Sequence, residues 1–140
     1  MRLLDTDIPT LAFHKHERAS RKMIEASQRD LLATTLVTKM QILQGRFSSL
    51  LAAADKEELA RAYAKWTESN NQLARINIIG LPDGALDEFD RLSRIKSLRR
   101  TGRADLLLAC TALAENATLV TRNLKDFRPV PGLKIENRAD

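Results

Sequence analysis

Apolar residues in this chain alternate between short runs and longer stripes, and the alternation predicts its elements. Leu3-Leu4 is a brief run that stops at Asp5-Thr6-Asp7. This reads as a strand end followed by a helix over residues 8–14, with Asp7 as N-cap and Pro9 in the first turn. A second helix from about His16 places Ala19, Met23 and Ile24 on one face. Residues 31–37 are apolar, short and end β-branched, which predicts a buried strand. Thr38-Lys39-Met40-Gln41 then has capping-box spacing, and Leu43, Phe47, Leu50, Leu51 and Ala54 continue a helical stripe. Asp55 is expected to cap another helix, with Leu59, Tyr63, Trp66 and Leu73 on its apolar face.

Residues 76–79 predict a strand closed by Gly80 and Pro82, and Asp83 is expected to open a helix carrying Leu86, Phe89, Leu92 and Ile95. Residues 103–115 are apolar almost all round, the pattern of a central buried helix. Asn116 ends it, residues 117–121 predict a strand, and residues 133–135 predict another after the Pro131-Gly132 turn. Strands alternating with helices predict an α/β layer fold with a mainly parallel sheet. No repeat or linker breaks the pattern, so residues 1–140 are expected to form a single domain.

Composition adds less. The chain has 140 residues and one cysteine, Cys110, which excludes an internal disulfide and suits a cytoplasmic protein. No apolar run approaches the length of a membrane span, so no membrane partner is expected. The net charge of +5 is compatible with nucleic acid but does not require it. With only 4% aromatic residues there is little sign of a base-stacking platform, so any nucleic-acid partner would be read through shape and phosphates.

Candidate chemistry gathers where parallel sheets place their sites, beyond the C-terminal strand ends. Asp5 follows the first strand, Asn123 and Asp126 follow a later one, and Asp105 lies in the first turn of the most buried helix. Converging carboxylates repel unless a cation neutralises them, and hard oxygen ligands suit Mg²⁺ or Mn²⁺. Taken singly, each acid is equally at home ending a strand, complementing a helix dipole or sitting in a turn. Arg94, Lys96, Arg99, Arg100 and Arg103 precede Asp105 and are candidate phosphate contacts, though a solvated helix end and loop accounts for them equally well. His14 and His16 are two apart and do not share a helix face, which argues against a metal pair.

The ordered pieces Leu3-Leu4-Asp5-Thr6-Asp7, Gln41-Ile42-Leu43-Gln44-Gly45, Gly102-Arg103-Ala104-Asp105 and Thr118-Leu119-Val120-Thr121-Arg122-Asn123-Leu124-Lys125-Asp126-Phe127 resemble PIN-domain proteins. More narrowly, the chain resembles the VapC-type toxins of bacterial toxin–antitoxin pairs over nearly its whole length. The resemblance implies a PIN-like three-layer α/β/α fold and a metal-dependent endoribonuclease that hydrolyses RNA phosphodiester bonds. By position it makes Asp5 and Asp105 the metal ligands, with Asp126 as supporting acid and Asn123 nearest the strand. Arg99, Arg100, Arg103 and Asn123 are the expected substrate contacts. It also implies a VapB-like antitoxin and a homodimer.

One position departs from the pattern. Gln41 stands where the family usually has Glu, four residues before Gly45. An amide keeps the size but loses the charge and cannot act as a base. This predicts an intact fold with weakened or absent cleavage. The rival expectation is a non-catalytic PIN-like module that binds RNA or the antitoxin.

Overall fold

A computed structural model of the chain describes residues 1–5 and 32–137. The helices expected over residues 8–14 and from His16, and the His14/His16 pair, lie outside the described residues. Among those described, five strands form one sheet: β1 (Arg2–Leu4), β2 (Leu32–Thr35), β3 (Asn77–Ile79), β4 (Thr118–Val120) and β5 (Lys134–Glu136). The helices are α1 (Leu36–Leu51), α2 (Lys56–Leu73), α3 (Ala85–Ser93), α4 (Arg103–Ala114) and the short α5 (Leu124–Phe127), with a 3₁₀ turn at Lys96–Leu98.

All four strand pairings are parallel, and the order is β3-β2-β1-β4-β5. The predicted parallel α/β sheet flanked by helices is therefore present. β1 is central, and Leu3 and Leu4 are fully buried, as expected for a strand covered on both faces. Its register aligns Leu4 with Val120 and Leu3 with Ala33. The chain steps from β1 to β2 and then β3 on one side, and returns at β4 on the other. Strand order thus reverses between β1 and β4, the place where such sheets open a crevice at their C-terminal edge.

α4 supplies the core as its all-round apolar pattern predicted. Leu106, Leu108, Ala109, Cys110, Thr111 and Ala112 are buried, and most of them join a cluster that includes Leu3, Ala33, Leu92, Leu119 and Phe127. Asn116 ends this stretch in the left-handed region at φ 51°, a conformation that asparagine tolerates.

Three expectations are corrected. The second strand stops at Thr35 and the helix begins at Leu36, so Thr38 is not the cap. The Thr35 hydroxyl accepts the Thr38 N–H at 3.0 Å, and the two hydroxyls lie 2.9 Å apart. Two threonines at this spacing offer alternative caps, and the one at the buried strand end wins because its extended backbone suits the cap position. Gln41 accordingly lies on the second turn of α1 and has no capping-box role. In α3 the cap position falls to Gly84 at φ 86° instead of Asp83. In α2 the Asp55 cap is as expected, but the buried positions are Ala62, Ser69 and Leu73, while Leu59 and Tyr63 are exposed. Helix-period reading identifies the amphipathic helix yet takes its large aliphatic and aromatic residues for the inward face. Here the small residues face inward, where α2 packs closely on α1.

Candidate active site

The crevice between β1 and β4 begins with two adjacent strand ends. Asp5 continues the ladder by donating its N–H to the Val120 carbonyl at 2.9 Å, and its side chain is 6% exposed. Next to it, fully buried Thr121 donates its hydroxyl to Asp5 Oδ2 at 2.7 Å. The same hydroxyl oxygen accepts the Asn123 N–H at 2.9 Å. Asn123 Nδ2 donates to Asp126 Oδ2, and the Asp126 N–H returns to the Asn123 carbonyl at 3.1 Å. A continuous polar chain therefore runs from buried Asp5 to exposed Asp126. Thr34, on the other side of β1, donates its hydroxyl to the Leu4 carbonyl at 2.8 Å and fixes the strand end from that side.

Asp105 enters from α4, where it sits in the first turn behind Gly102 and is half-buried. An acid at that position complements the partial positive charge of a helix N-terminus. Asp105 and Asp126 line one cleft of about 260 Å³ together with Arg100, Lys125, Ser97 and Gly102. Two carboxylates and two cations thus face one solvent-filled space.

The candidate residues separate in position. Asp5, Asn123 and Asp126 are joined by hydrogen bonds, and Asp105 meets Asp126 across the cleft. Gln41 is exposed on α1 and is not among the cleft-lining residues. Of the three candidate arginines only Arg100 lines the cleft. The Arg103 guanidinium lies 5.1 Å above the Phe89 ring, and Arg99 is exposed where the 3₁₀ turn ends. Sequence reasoning assigned no role to Thr121. The available signal was a threonine as the first residue past a strand at the switch point. Among the described residues, no three His, Cys, Asp or Glu side chains come together as a metal-binding group.

The fold has parallels among known proteins. No protein-family model matches the chain. Over 138 residues it is 26% identical to the ribonuclease VapC1 of Haemophilus influenzae, covering 96% of each chain. A shorter stretch of 36 residues is 58% identical to the ribonuclease VapC2 of Rickettsia felis, spanning 26% of this chain and about a quarter (27%) of that protein. Among solved structures, it superimposes on VapBC2 from Rickettsia felis bound to a promoter DNA fragment with a TM-score of 0.79, at 26% identity and 97% coverage of both chains. The chain is thus similar over nearly its whole length to VapC-type toxins, and it shares their fold. VapBC-1 from nontypeable Haemophilus influenzae shares the fold at a TM-score of 0.70 and 23% identity, over 99% of this chain and 98% of that one.

Within this VapC-type fold, α1 and α2 also present apolar surface. Leu36, Met40, Phe47 and Leu51 on α1 and Tyr63 on α2 are at least half exposed, so Phe47 and Tyr63, placed on helical apolar stripes by the sequence, face outward. Met40, Leu43, Phe47 and Trp66 line a groove of about 360 Å³. Cys110 is fully buried, and burial, reinforced by the Glu88 carboxylate and opposed by Arg91, pushes its thiol up to about 11. It is a core thiol, with no nucleophilic role.

Proposed function

We propose that this protein is the toxin of a VapB–VapC-type pair, a metal-dependent endoribonuclease that hydrolyses RNA phosphodiester bonds in the cytoplasm. The observation that carries this reading is the join of Asp5 to Asp126 through Thr121 and Asn123 at the switch point, with Asp126 sharing a cleft with Asp105. The relatives named as VapC ribonucleases support it.

Asp5 and Asp105 would hold the cation, Mg²⁺ or Mn²⁺, and Asp126 would support them. Their chemistry fits: Mg²⁺ keeps most of its water and takes only one or two carboxylates. When bound, such an ion neutralises developing phosphate charge and makes water a better nucleophile. The protein's own groups do the remaining work. The Thr121 hydroxyl orients the Asp5 carboxylate, and burial keeps Asp5 from competing rotamers. Arg100 and Lys125 would hold RNA phosphates beside the carboxylates, and Asn123 fixes Asp126 while leaving its carbonyl edge toward solvent. Gln41 takes the place of the family's glutamate and contributes no charge.

Gln41 and the absence of a three-acid group among the described residues favour a second reading, a PIN-like module that binds RNA or an antitoxin without cutting it. A VapB-like antitoxin and a second copy of the chain are the partners we propose for the apolar face of α1 and α2. The complexes of VapBC from Rickettsia felis and Haemophilus influenzae support the first of these.

A metal titration separates the two readings. Purified protein is incubated with RNA over a range of Mg²⁺ and Mn²⁺, beside the Gln41→Glu variant. The enzyme reading expects ion-dependent product that rises by about 10²–10⁴-fold in the variant, the contribution of a positioned acid–base group. Binding without product in both proteins at every ion concentration establishes the module instead.

A further inference from the structure

Away from the acidic edge, the α1–α2 hairpin carries a second cleft, of about 420 Å³, whose chemistry is cationic. On α2, Glu58, Arg61, Ala62 and Lys65 follow one another at i, i+3, i+4 and i+7, so they share a face. That face meets Arg46, Ser49 and the alanines that end α1. Small side chains at Ala52, Ala53 and Ala62 leave the hollow open, and the cations surround it.

Three observations make this more than a solvated helix face. Arg46 is half-buried and donates Nε to the Ser69 hydroxyl at 2.9 Å, and Ser69 is fully buried. That bond orients the guanidinium and leaves its terminal nitrogens for another acceptor. The one acid in the cleft, Glu58, is already engaged: its Oε2 accepts the Ala54 N–H at 2.7 Å, while its own N–H donates to Asp55. Arg61 and Lys65, exposed at the rim, form no ion pair or hydrogen bond among the described residues. A preoriented arginine and two unpaired cations around an open hollow suit an anion with several oxygens, such as a phosphodiester.

We propose that this cleft seats a backbone phosphate of the RNA, a second anchor for a strand held at the acidic edge. The inference rests on that reading for the identity of the polyanion. The α1 surface leads from the cleft back to Gln41. Gln41, Gly45 and Ser49 lie at i, i+4 and i+8 on one helical face, so Ser49 at the cleft is about 12 Å along the axis from Gln41. Between them Gly45 has open space where a side chain would stand, and the Ser49 hydroxyl folds back onto the Gly45 carbonyl at 3.2 Å. A single strand can lie along this low track from the cleft toward Gln41.

Equilibrium binding tests the inference without relying on cleavage. Anisotropy of a labelled single-stranded RNA is followed in EDTA across a salt series for the full chain, the Arg61→Gln/Lys65→Gln variant and an Arg75→Gln/Lys134→Gln control. The control removes the same charge at the opposite, N-terminal end of the strands. Each phosphate contact contributes about 0.7 to the log–log salt slope of a single strand, so the cleft variant should lose about 1.4 and bind several-fold more weakly at low salt. The control should keep the slope, and all three should melt alike. A cleft variant with the wild-type slope, or a control that loses as much, overturns the cleft alone. A wild-type chain that fails to bind RNA overturns the ribonuclease reading and the cleft with it.

Discussion

Thr121 and Asp5, 116 positions apart in the chain, share a buried hydrogen bond of 2.7 Å at the point where the sheet reverses its strand order. The bond joins the ends of β1 and β4 and holds a buried carboxylate in place. Thr121→Val keeps the shape but removes both this donor and the acceptor for the Asn123 N–H. Burying polar groups without partners costs about 1–3 kcal/mol each. Urea denaturation should show that loss in the valine variant, whereas Thr121→Ser, which retains the hydroxyl, should recover most of it. Equal stability of all three proteins would deny the bond its structural role.

If Asp5 and Asp105 hold the ion, their amides should not. In the Gln41→Glu background, where cleavage is expected to be measurable, Asp5→Asn and Asp105→Asn should each bring Mg²⁺-dependent RNA cleavage down to background. Asp126→Asn should leave a reduced rate, since that residue is exposed and supports from the rim of the cleft. Isothermal titration with Mn²⁺ provides the accompanying binding measurement. Full cleavage by either of the first two variants would remove that residue from the metal site.

The start of α2 offers a test independent of function. Asp55 Oδ1 accepts the Glu58 N–H at 2.8 Å, and Glu58 Oε2 accepts the Ala54 N–H at 2.7 Å, so each satisfies an otherwise unpaired donor at this end. Asp55→Ala should cost about 0.5–2 kcal/mol in thermal or chemical denaturation, and Asp55→Asn much less.

Cys110 makes stability depend on pH at the alkaline end. The folded thiol keeps its proton up to about 11, whereas the unfolded chain releases it near the ordinary value of 9.0. Between those values the unfolded state binds fewer protons, so stability must fall as pH rises, by up to about 2–3 kcal/mol once both limits are passed. Denaturation midpoints measured from pH 8 upward should fall more steeply for the native chain than for Cys110→Ala. A thiol reagent at neutral pH should leave the folded protein unmodified until it opens.

How much of this was legible beforehand differs from residue to residue. The apolar wrap of residues 103–115 foretold α4 and its central position, because a helix apolar on every side has no solvent face to offer. Asp5, Asp105 and Asp126 could be placed at strand ends and a helix start, since the parallel plan puts those positions on one edge. The α1 boundary was less legible: Thr35 and Thr38 carry the same capping chemistry, and only the register of β2 against β1 and β3 determines where the strand ends. The inward face of α2 was misread for a related reason. Tyr63 and Leu59 have the hydrophobicity of core residues, but the buried positions of α2 are Ala62, Ser69 and Leu73, the last packed in a cluster with Ile42 of α1.

The sequence by itself determined the succession of strands and helices, the buried character of α4 and the set of acids available for chemistry. These follow from periodicity, caps and breakers, which act over a few residues and can be read locally. The tertiary structure decided which of those groups meet: Asp5 with Thr121, Asp105 with Asp126, Arg46 with Ser69. Such pairings depend on strand order and helix packing, and each closes a long loop of chain whose entropic cost is met by the whole core, so no local stretch of sequence encodes it.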